Sequence, residues 1–238
     1  MLEDKFLIMT IDTSCKTTAC GLVADLSLIA DCSVCDNKTH SVKLMPLIDS
    51  ALSSVDATID NVDLIAVTNG PGSYTGLRIG VVTAKTFAYA ADIPVIGVNT
   101  LDALAYQYLN DKDTITISII DARNTRVYAA CFKGDNIILN HNALTVEELC
   151  NFLSGEKSID PKKNPLLFCG DGVNDTNKSI IDNLLKEYNV IYKDLIYPQS
   201  LSIAKIAYQK YCDSSMDRSL YKGQVLGVDY MKKYNSEI

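Results

Sequence analysis

The chain has 238 residues, of which 47% are hydrophobic and 21% are charged, so we expect a folded globular protein with one compact body of two lobes. Its formal charge of −7 disfavours direct, tight binding of nucleic acid, which requires a basic patch. The N-terminal sequence lacks a signal-peptide cleavage site, and no 18-residue stretch is free of charge. These features predict a cytoplasmic protein that makes no contact with a membrane.

The eight cysteines are predicted to be free thiols, because they are scattered among apolar neighbours as buried thiols are in a reducing compartment. The CxxC pair of Cys32 and Cys35 has no second pair to accompany it. A structural zinc ion normally takes four ligands, so we predict no metal site in this chain.

Two parts of the sequence share one layout of three short strands, because β-rich stretches alternate there with turn residues. In the first part the strands are predicted near 5–11, 18–25 and 28–35, and the first of them ends in Asp12. In the second part they are predicted near 114–120, 125–133 and 136–140, and the first of them ends in Asp121. The repeat indicates one structural unit used twice.

Each strand triplet is followed by a predicted helix and then by an apolar strand. The helices lie near 41–55 and 145–153, and the strands are VDLIAV and PLLFC. Three antiparallel strands, a helix and a parallel strand, used twice, are expected of an α/β protein with the duplicated actin-like (ASKHA) fold, whose two lobes are ribonuclease-H-like. We predict an N-terminal lobe at 1–110 and a smaller C-terminal lobe with a tail at 111–238. A single doubly wound sheet is the alternative.

Two turns carry hydroxyls, glycines and an acid of the kind that binds phosphate. One follows the first strand, where an acid can also hold magnesium through water. The other leads from a strand into a helix, where an anion is favoured, but it lacks the Gly-Lys-Ser or Gly-Lys-Thr of a P-loop. The candidates for this vestigial phosphate site are Asp12, Thr13, Ser14, Gly70, Gly72 and Ser73. The alternative is that the aspartate only satisfies backbone N–H groups in a tight turn.

A helix predicted at 76–91 carries a small residue at every fourth position, which lets another element approach closely. These residues are Gly76, Gly80, Ala84 and Ala88. The helix at 41–55 is also apolar over more than one stripe. Either the two helices are sandwiched within this chain, or they form half of a helix bundle that a second subunit completes.

Neither histidine has the partner that hydrolytic chemistry requires. His40 is followed four residues later by Leu44, where a helical zinc site has a second histidine, and no GxSxG elbow is present for a nucleophilic serine. We therefore predict no catalytic residue in this chain, and we regard a peptidase as the weaker of the alternative functions.

The string NGPGSYTGLRIGVVTAKTFA resembles the signature GPGSFTGLRIG…AKGLA of the TsaB family, also called YeaZ, an accessory subunit in bacterial threonylcarbamoyladenosine synthesis on tRNA. The strings IDTSCKTTACGLV, HSVKLMPLID, IPVIGVNTLDALA and IDARNTRVYAACF agree with the family in the same order. The resemblance covers most of residues 6–133 and is thinner beyond them. Asn69, Thr86 and Asp229 depart from the family pattern.

The resemblance implies an actin-like protein that lacks a catalytic centre and pairs with a larger TsaD-type paralogue, which holds the metal and the nucleotide. It implies that helices 41–55 and 76–91 form the subunit contact, with Leu44, Ile48, Leu52, Gly76, Gly80, Ala84 and Ala88 at the interface. The isolated chain is then expected to hold no cofactor, with ATP or ADP and metal in the partner subunits.

Further partners follow from the same resemblance. They are a TsaE-type ATPase, a second copy of the chain when it is alone, and tRNA only through the complex. The main alternative is an active ATPase or kinase that uses Asp12 and the loop at 70–76.

Overall fold

A computed structural model of the chain describes residues 4–35, 39–194 and 196–231. The chain divides into two compact units: Met1–Ala103 with Pro198–Asp229, and Leu104–Tyr197 with Tyr230–Ile238. This division differs from the predicted lobes at 1–110 and 111–238, because a late helix and the segment after it return to the first unit. Among the residues that the structure describes, no helix is both long enough and apolar enough to span a bilayer.

Ten strands and six α-helices are formed by the described residues. The strands are β1 (Leu7–Asp12), β2 (Thr17–Ala24), β3 (Ser27–Cys35), β4 (Leu64–Gly70), β5 (Val95–Asn99), β6 (Ile115–Asp121), β7 (Arg126–Lys133), β8 (Asn136–Thr145), β9 (Leu166–Cys169) and β10 (Val190–Tyr192). The helices are α1 (His40–Ser53), α2 (Tyr74–Ala90), α3 (Thr100–Ala105), α4 (Val146–Gly155), α5 (Asp175–Leu184) and α6 (Ser200–Asp213).

The two units contain sheets of identical topology. The first sheet has the order β3-β2-β1-β4-β5 and the second, read from its other edge, has the order β8-β7-β6-β9-β10. In each, the central strand is antiparallel to the strand that follows it and parallel to the strand after the helix, as β1 is to β2 and β4. This repeated arrangement confirms the predicted duplicated actin-like fold with ribonuclease-H-like units.

Alternation along β1 distributes its side chains to the two faces of the first sheet. Leu7, Met9 and Ile11 pack into a core that includes the buried faces of α1 and α2. Ile8 packs on the opposite face, in a core that includes Ile203, Ala204, Ala207 and Tyr211 of α6. The sheet of the first unit is thus covered on both faces by helices of its own unit.

The second unit has its own apolar core around α4. Helix α4 buries Val146, Leu149, Cys150 and Leu153, which recur at helical spacing and pack with β6, β7 and β9. Its start is fixed by Thr145, whose side chain accepts from the backbone N–H of Glu148 while the Glu148 carboxylate accepts from the Thr145 N–H. Among the described residues, all the members of this core belong to the second unit.

Candidate functional site: the β1 turn and the outer face of α1 and α2

The small-residue stripe of α2 faces the sheet of its own unit. Residues Leu44, Ile48, Leu52, Gly76, Gly80, Ala84 and Ala88, predicted as the partner interface, are all buried. A methyl group on Gly76 would overlap the carbonyl oxygen of Thr13, and one on Gly80 would overlap the Thr13 hydroxyl. The glycines therefore admit the turn after β1, and all seven residues pack within the first unit.

The opposite sides of the same helices carry exposed apolar residues. Val42 and Met45 of α1 are 62% and 50% exposed, and Tyr74 and Val82 of α2 are 56% and 61% exposed. The guanidinium carbon of Arg78 lies 4.0 Å from the centroid of the Tyr74 ring. We call these five residues the outer face of α1 and α2.

The turn after β1 is built around the buried carboxylate of Asp12. Its Oδ1 accepts from the Ser14 hydroxyl at 2.6 Å, the Ser14 backbone N–H at 3.1 Å and the Thr68 hydroxyl of β4 at 2.5 Å. Its Oδ2 is buried and has no hydrogen-bond partner among the described residues. The hydroxyl of Thr13 donates to the carbonyl oxygen of Gly76 at 2.7 Å, so the hydroxyls of this turn are used within the unit.

Burial raises the pKa of the Asp12 carboxyl above its ordinary value of 3.8, and the hydrogen bonds from Ser14 and Thr68 offset part of this rise. Between the unfolded and the folded pKa the folded state holds more protons. The contribution of this group to the free energy of unfolding therefore falls as the pH rises through that interval.

Replacement Asp12→Asn should remove this pH dependence, because the amide does not titrate. We expect the free energy of unfolding of the variant, minus that of the wild type, to increase with pH from about pH 4 and to level off above the folded pKa. Urea unfolding of both proteins at closely spaced pH values measures this difference in the free energy of unfolding. A difference that stays constant over the whole range would show that Asp12 titrates normally.

The loop before α2 packs directly onto the β1 turn. The backbone N–H of Ser73 donates to the carbonyl oxygen of Ser14 at 2.7 Å, and the Ser73 hydroxyl caps α2 by accepting from the N–H of Gly76 at 3.2 Å. Gly72 has a φ of +156°, and a methyl group there would overlap the Ser14 carbonyl oxygen. The structure thus brings the two predicted phosphate turns together.

The contacts within these turns do not fit a bound phosphate. Asp12, Thr13 and Ser14 are almost fully buried, and a methyl group on Gly70 would overlap the carbonyl oxygen of Asp229. The close approaches that glycine permits are filled by backbone of the same unit. The six candidate residues therefore form a structural joint between β1, β4 and α2, and we derive no phosphate chemistry from them.

Asn69 and Asp229, two of the departures from the family pattern, lie at this joint and contact each other. The backbone N–H of Asp229 donates to the Asn69 carbonyl oxygen at 2.7 Å, and the Asn69 side chain donates to the carbonyl oxygen of Gly227 at 3.2 Å. A proline at position 229 has no N–H and could not make the first bond. The departures therefore tie the segment after α6 to the end of β4.

The equivalent turn of the second unit has a different construction. The backbone N–H of Asp121 donates to the Asp171 carboxylate at 3.1 Å, and Asp121 itself accepts from the N–H of Arg123 at 2.8 Å. Arg123, Asn124 and Thr125 have φ values of 68°, 53° and 57°, a conformation that non-glycine residues seldom adopt. This turn contains no glycine, so three non-glycine residues adopt the left-handed conformation in an exposed hairpin.

His40 is the first residue of α1, and its Nδ1 lies 2.7 Å from the Thr18 hydroxyl, to which it is hydrogen-bonded. Burial and the charge of Lys43 lower the pKa of this imidazole, so the neutral form is favoured. Within residues 4–35, 39–194 and 196–231, no three His, Cys, Asp or Glu side chains lie close enough to hold a metal ion. The structure gives His40 a role in positioning the start of α1.

Comparison with known proteins identifies the family of this chain. The model of the family TsaD, tRNA N6-adenosine threonylcarbamoyltransferase, matches residues 35–204. The "tRNA threonylcarbamoyladenosine biosynthesis protein TsaB" of Bacillus subtilis is 33% identical over 185 residues, which are 75% of this chain and 76% of that protein. The chain belongs to the TsaB family. The Escherichia coli protein of the same name is 30% identical over 158 residues, 63% of this chain and 68% of its own length.

Solved structures show that the TsaB fold is shared. A Pseudomonas aeruginosa protein described as similar to peptidase YeaZ matches 95% of this chain and 100% of its own, with a TM-score of 0.75 and 18% identity. YeaZ from Pseudomonas aeruginosa matches 94% and 100%, with a TM-score of 0.69 and 19% identity. These likenesses confirm the predicted fold, and the Bacillus subtilis relative confirms the resemblance to the TsaB family that the sequence motifs predicted.

The outer face is the feature that reasoning from the TsaB motifs missed. The strongest signal in the sequence was the small-residue stripe, and it marks the buried side of α2. Val42 and Met45 are three residues apart, and Tyr74, Arg78 and Val82 recur every fourth residue. This second periodicity is visible in the sequence. The sequence does not indicate, however, which of two stripes on a helix the sheet will cover.

Proposed function

We propose that this chain is a non-catalytic subunit in the biosynthesis of threonylcarbamoyladenosine next to the anticodon of tRNA. It pairs with a TsaD-type paralogue through the outer face of α1 and α2 and stabilises the productive arrangement of that subunit. The observation that carries the proposal is the exposed apolar surface of Val42, Met45, Tyr74 and Val82 in a member of the TsaB family. The β1 turn and the loop before α2 are packed against each other, so we assign the catalytic chemistry to the partner subunit.

The choice of a TsaD-type occupant follows from the shared fold. Because the TsaD family model matches residues 35–204, a TsaD-type protein has helices equivalent to α1 and α2. Two proteins of one fold can pack such helices against each other about a pseudo-twofold axis, as identical subunits do about a true one. A standard specific interface buries ~1,600 Å² in total, and two helices can supply much of one side.

The same geometry accounts for the other partners. Without the paralogue, two copies of the chain can pair through the identical surface, since a twofold contact is self-complementary. The net charge of −7 is tolerable if tRNA is contacted by the partners of a cytoplasmic complex. A TsaE-type ATPase, ATP or ADP, and the metal belong in this proposal to the other subunits.

Reconstitution tests the proposed function. The chain, the TsaD-type paralogue and a TsaE-type ATPase from one organism are purified and mixed with tRNA, ATP and an activated threonylcarbamoyl donor, and modified adenosine is measured with each protein omitted in turn. We expect a stable complex of chain and paralogue, modification only when the chain is present, and no modification by the chain alone. Full modification without the chain would overturn the proposal.

Replacement Asp12→Asn separates the proposal from an active ATPase or kinase. The carboxylate of Asp12 would be needed to hold magnesium in such an enzyme, whereas in the proposed subunit it only fixes a turn. We expect the variant to support tRNA modification within about twofold of the wild type in the reconstituted mixture. Loss of modification by a variant that keeps its circular dichroism spectrum and its binding to the paralogue would favour the ATPase.

A further inference from the structure

A cavity of about 990 Å³ lies within the first unit and includes none of the residues of the β1 turn. Its walls come from the second half of α2, the turn before β5, the 3-10 turn Arg218–Tyr221 and the residues that follow it. Sites that bind small molecules enclose roughly 300–1,000 Å³. The cavity is therefore large enough for an organic ligand of substantial size.

The charges around this cavity are opposite in sign to the charge of the whole chain. Lys85, Arg218 and Lys222 line it, and Asp92 is the acidic residue among the lining residues. The chain as a whole carries a formal charge of −7. An excess of cations at a concave site on an acidic protein concentrates anions there.

Two of these cations are held in place by backbone carbonyl groups of the same unit. The ammonium group of Lys85 donates to the carbonyl oxygen of Leu226 at 2.9 Å, and the guanidinium of Arg218 donates to the carbonyl oxygen of Asp92. In the part of the chain that the structure describes, neither they nor Lys222 form an ion pair with a carboxylate. An ammonium has three donors and a guanidinium has five, so donors remain for a ligand.

The remaining lining is largely apolar and aromatic. Val82, Ile93 and Pro94 contribute aliphatic surface, and Tyr89 and Tyr221 contribute rings. Tyr221 is held by its hydroxyl, which donates to the carbonyl oxygen of Lys210 at 3.0 Å. Tyrosine rings offer flat surfaces on which a planar group packs.

We propose that this cavity binds a small organic anion that joins an aromatic or similarly flat apolar group to a phosphate or a carboxylate. The flat group lies against Tyr89, Tyr221 and the aliphatic wall, and the anionic group accepts hydrogen bonds from Lys85, Arg218 and Lys222. Arginine favours bidentate binding of either anion. The site lies next to the outer face, with Val82 at the boundary, but its occupancy does not depend on the proposed partner.

The test uses three probes with the same ring system: 1-naphthyl phosphate, 1-naphthoate and the neutral 1-naphthol. Binding to the full chain is followed by NMR of its methyl groups. We expect both anions to shift the signals of Val82, Ala88 and Ile93, with the naphthol at least about tenfold weaker. The stronger of the two anions identifies the preferred acidic group. Equal binding of naphthol, or no binding of either anion at millimolar concentration, would overturn the proposal.

Variants assign the binding to these cations. Lys222→Met, which removes no side-chain hydrogen bond to another described residue, should weaken anion binding about threefold or more, and Arg218→Met with Lys222→Met about tenfold or more. Lys162→Met is the matched control, since this exposed lysine lies in the second unit and its loss changes the net charge equally. Unchanged affinity in Lys222→Met, or equal weakening in the control, counts against the site.

Discussion

The double variant Met45→Glu, Tyr74→Glu should lose binding to the TsaD-type paralogue by more than about 100-fold, because both carboxylates would be taken out of water at the centre of the proposed contact, and Arg78 could pair only with the one at position 74. Met45 is 50% exposed and Tyr74 is 56% exposed, so the fold of the single chain has little to lose. Tyr74 is also the first residue of α2, where a negative charge is favourable to the helix. Calorimetry with the purified paralogue gives the affinity, and modified adenosine in tRNA should fall with it.

A matched control for this variant is Ile137→Glu with Leu184→Glu. Both residues are exposed apolar residues of the second unit, so this variant makes the same change in net charge without altering the outer face. It should bind the paralogue as the wild type does. The interface assignment fails if the first variant keeps its affinity while folded, or if both variants lose it to the same extent.

Replacement Ala84→Glu should unfold the first unit, whereas Val82→Glu on the same helix should leave it folded. Ala84 is 0% exposed in the core between α2 and the sheet, and Val82 is 61% exposed. A carboxylate buried there without a partner costs about 3–5 kcal/mol, which is a large share of the stability of a typical domain. Urea unfolding followed by circular dichroism measures both variants, at protein concentrations low enough to prevent self-association.

The stabilities of Ala84→Glu and Val82→Glu also determine which variant can be used to test partner binding. Loss of complex in Ala84→Glu would reflect loss of the fold, so this variant says nothing about the interface. If Ala84→Glu is as stable as the wild type, the stripe of small residues is not packed against the sheet. Its members would then be restored as candidates for the contact with the paralogue.

Much of the fold could be predicted because its strand triplets are short-range features. Each triplet consists of neighbouring strands joined by tight turns, and alternation of side chains sets their register. The return of α6 to the first unit could not be predicted in this way. Ile203, Ala204, Ala207 and Tyr211 give α6 an apolar face, but their periodicity does not identify which of two similar sheets that face will cover.

The position of the candidate site in the chain could be predicted from the sequence, but which side of α2 packs against the rest of the unit could not. Small residues at Gly76 and Gly80 indicate that something approaches α2 closely, and in the structure Thr13 of the β1 turn does so. The turn residues Asp12 and Ser14 were found because acids and hydroxyls after a strand are a local signal. That Oδ1 of Asp12 and the carbonyl oxygen of Ser14 already accept hydrogen bonds depends on Thr68 and on the loop before α2, which are distant from them in sequence.

The path of the chain through the two units sets an order for folding on the ribosome. Leu104–Tyr197 leaves the exit tunnel as one continuous piece that carries all five strands of its sheet, so it can close its core during synthesis. The earlier half must wait for Pro198–Asp229. Until then Ile8, Val23 and Leu64 of the nascent sheet are exposed, because α6, which covers them, has not been synthesised. Apolar surface exposed in this way is what chaperones bind. The first unit to be translated is therefore the last to be finished.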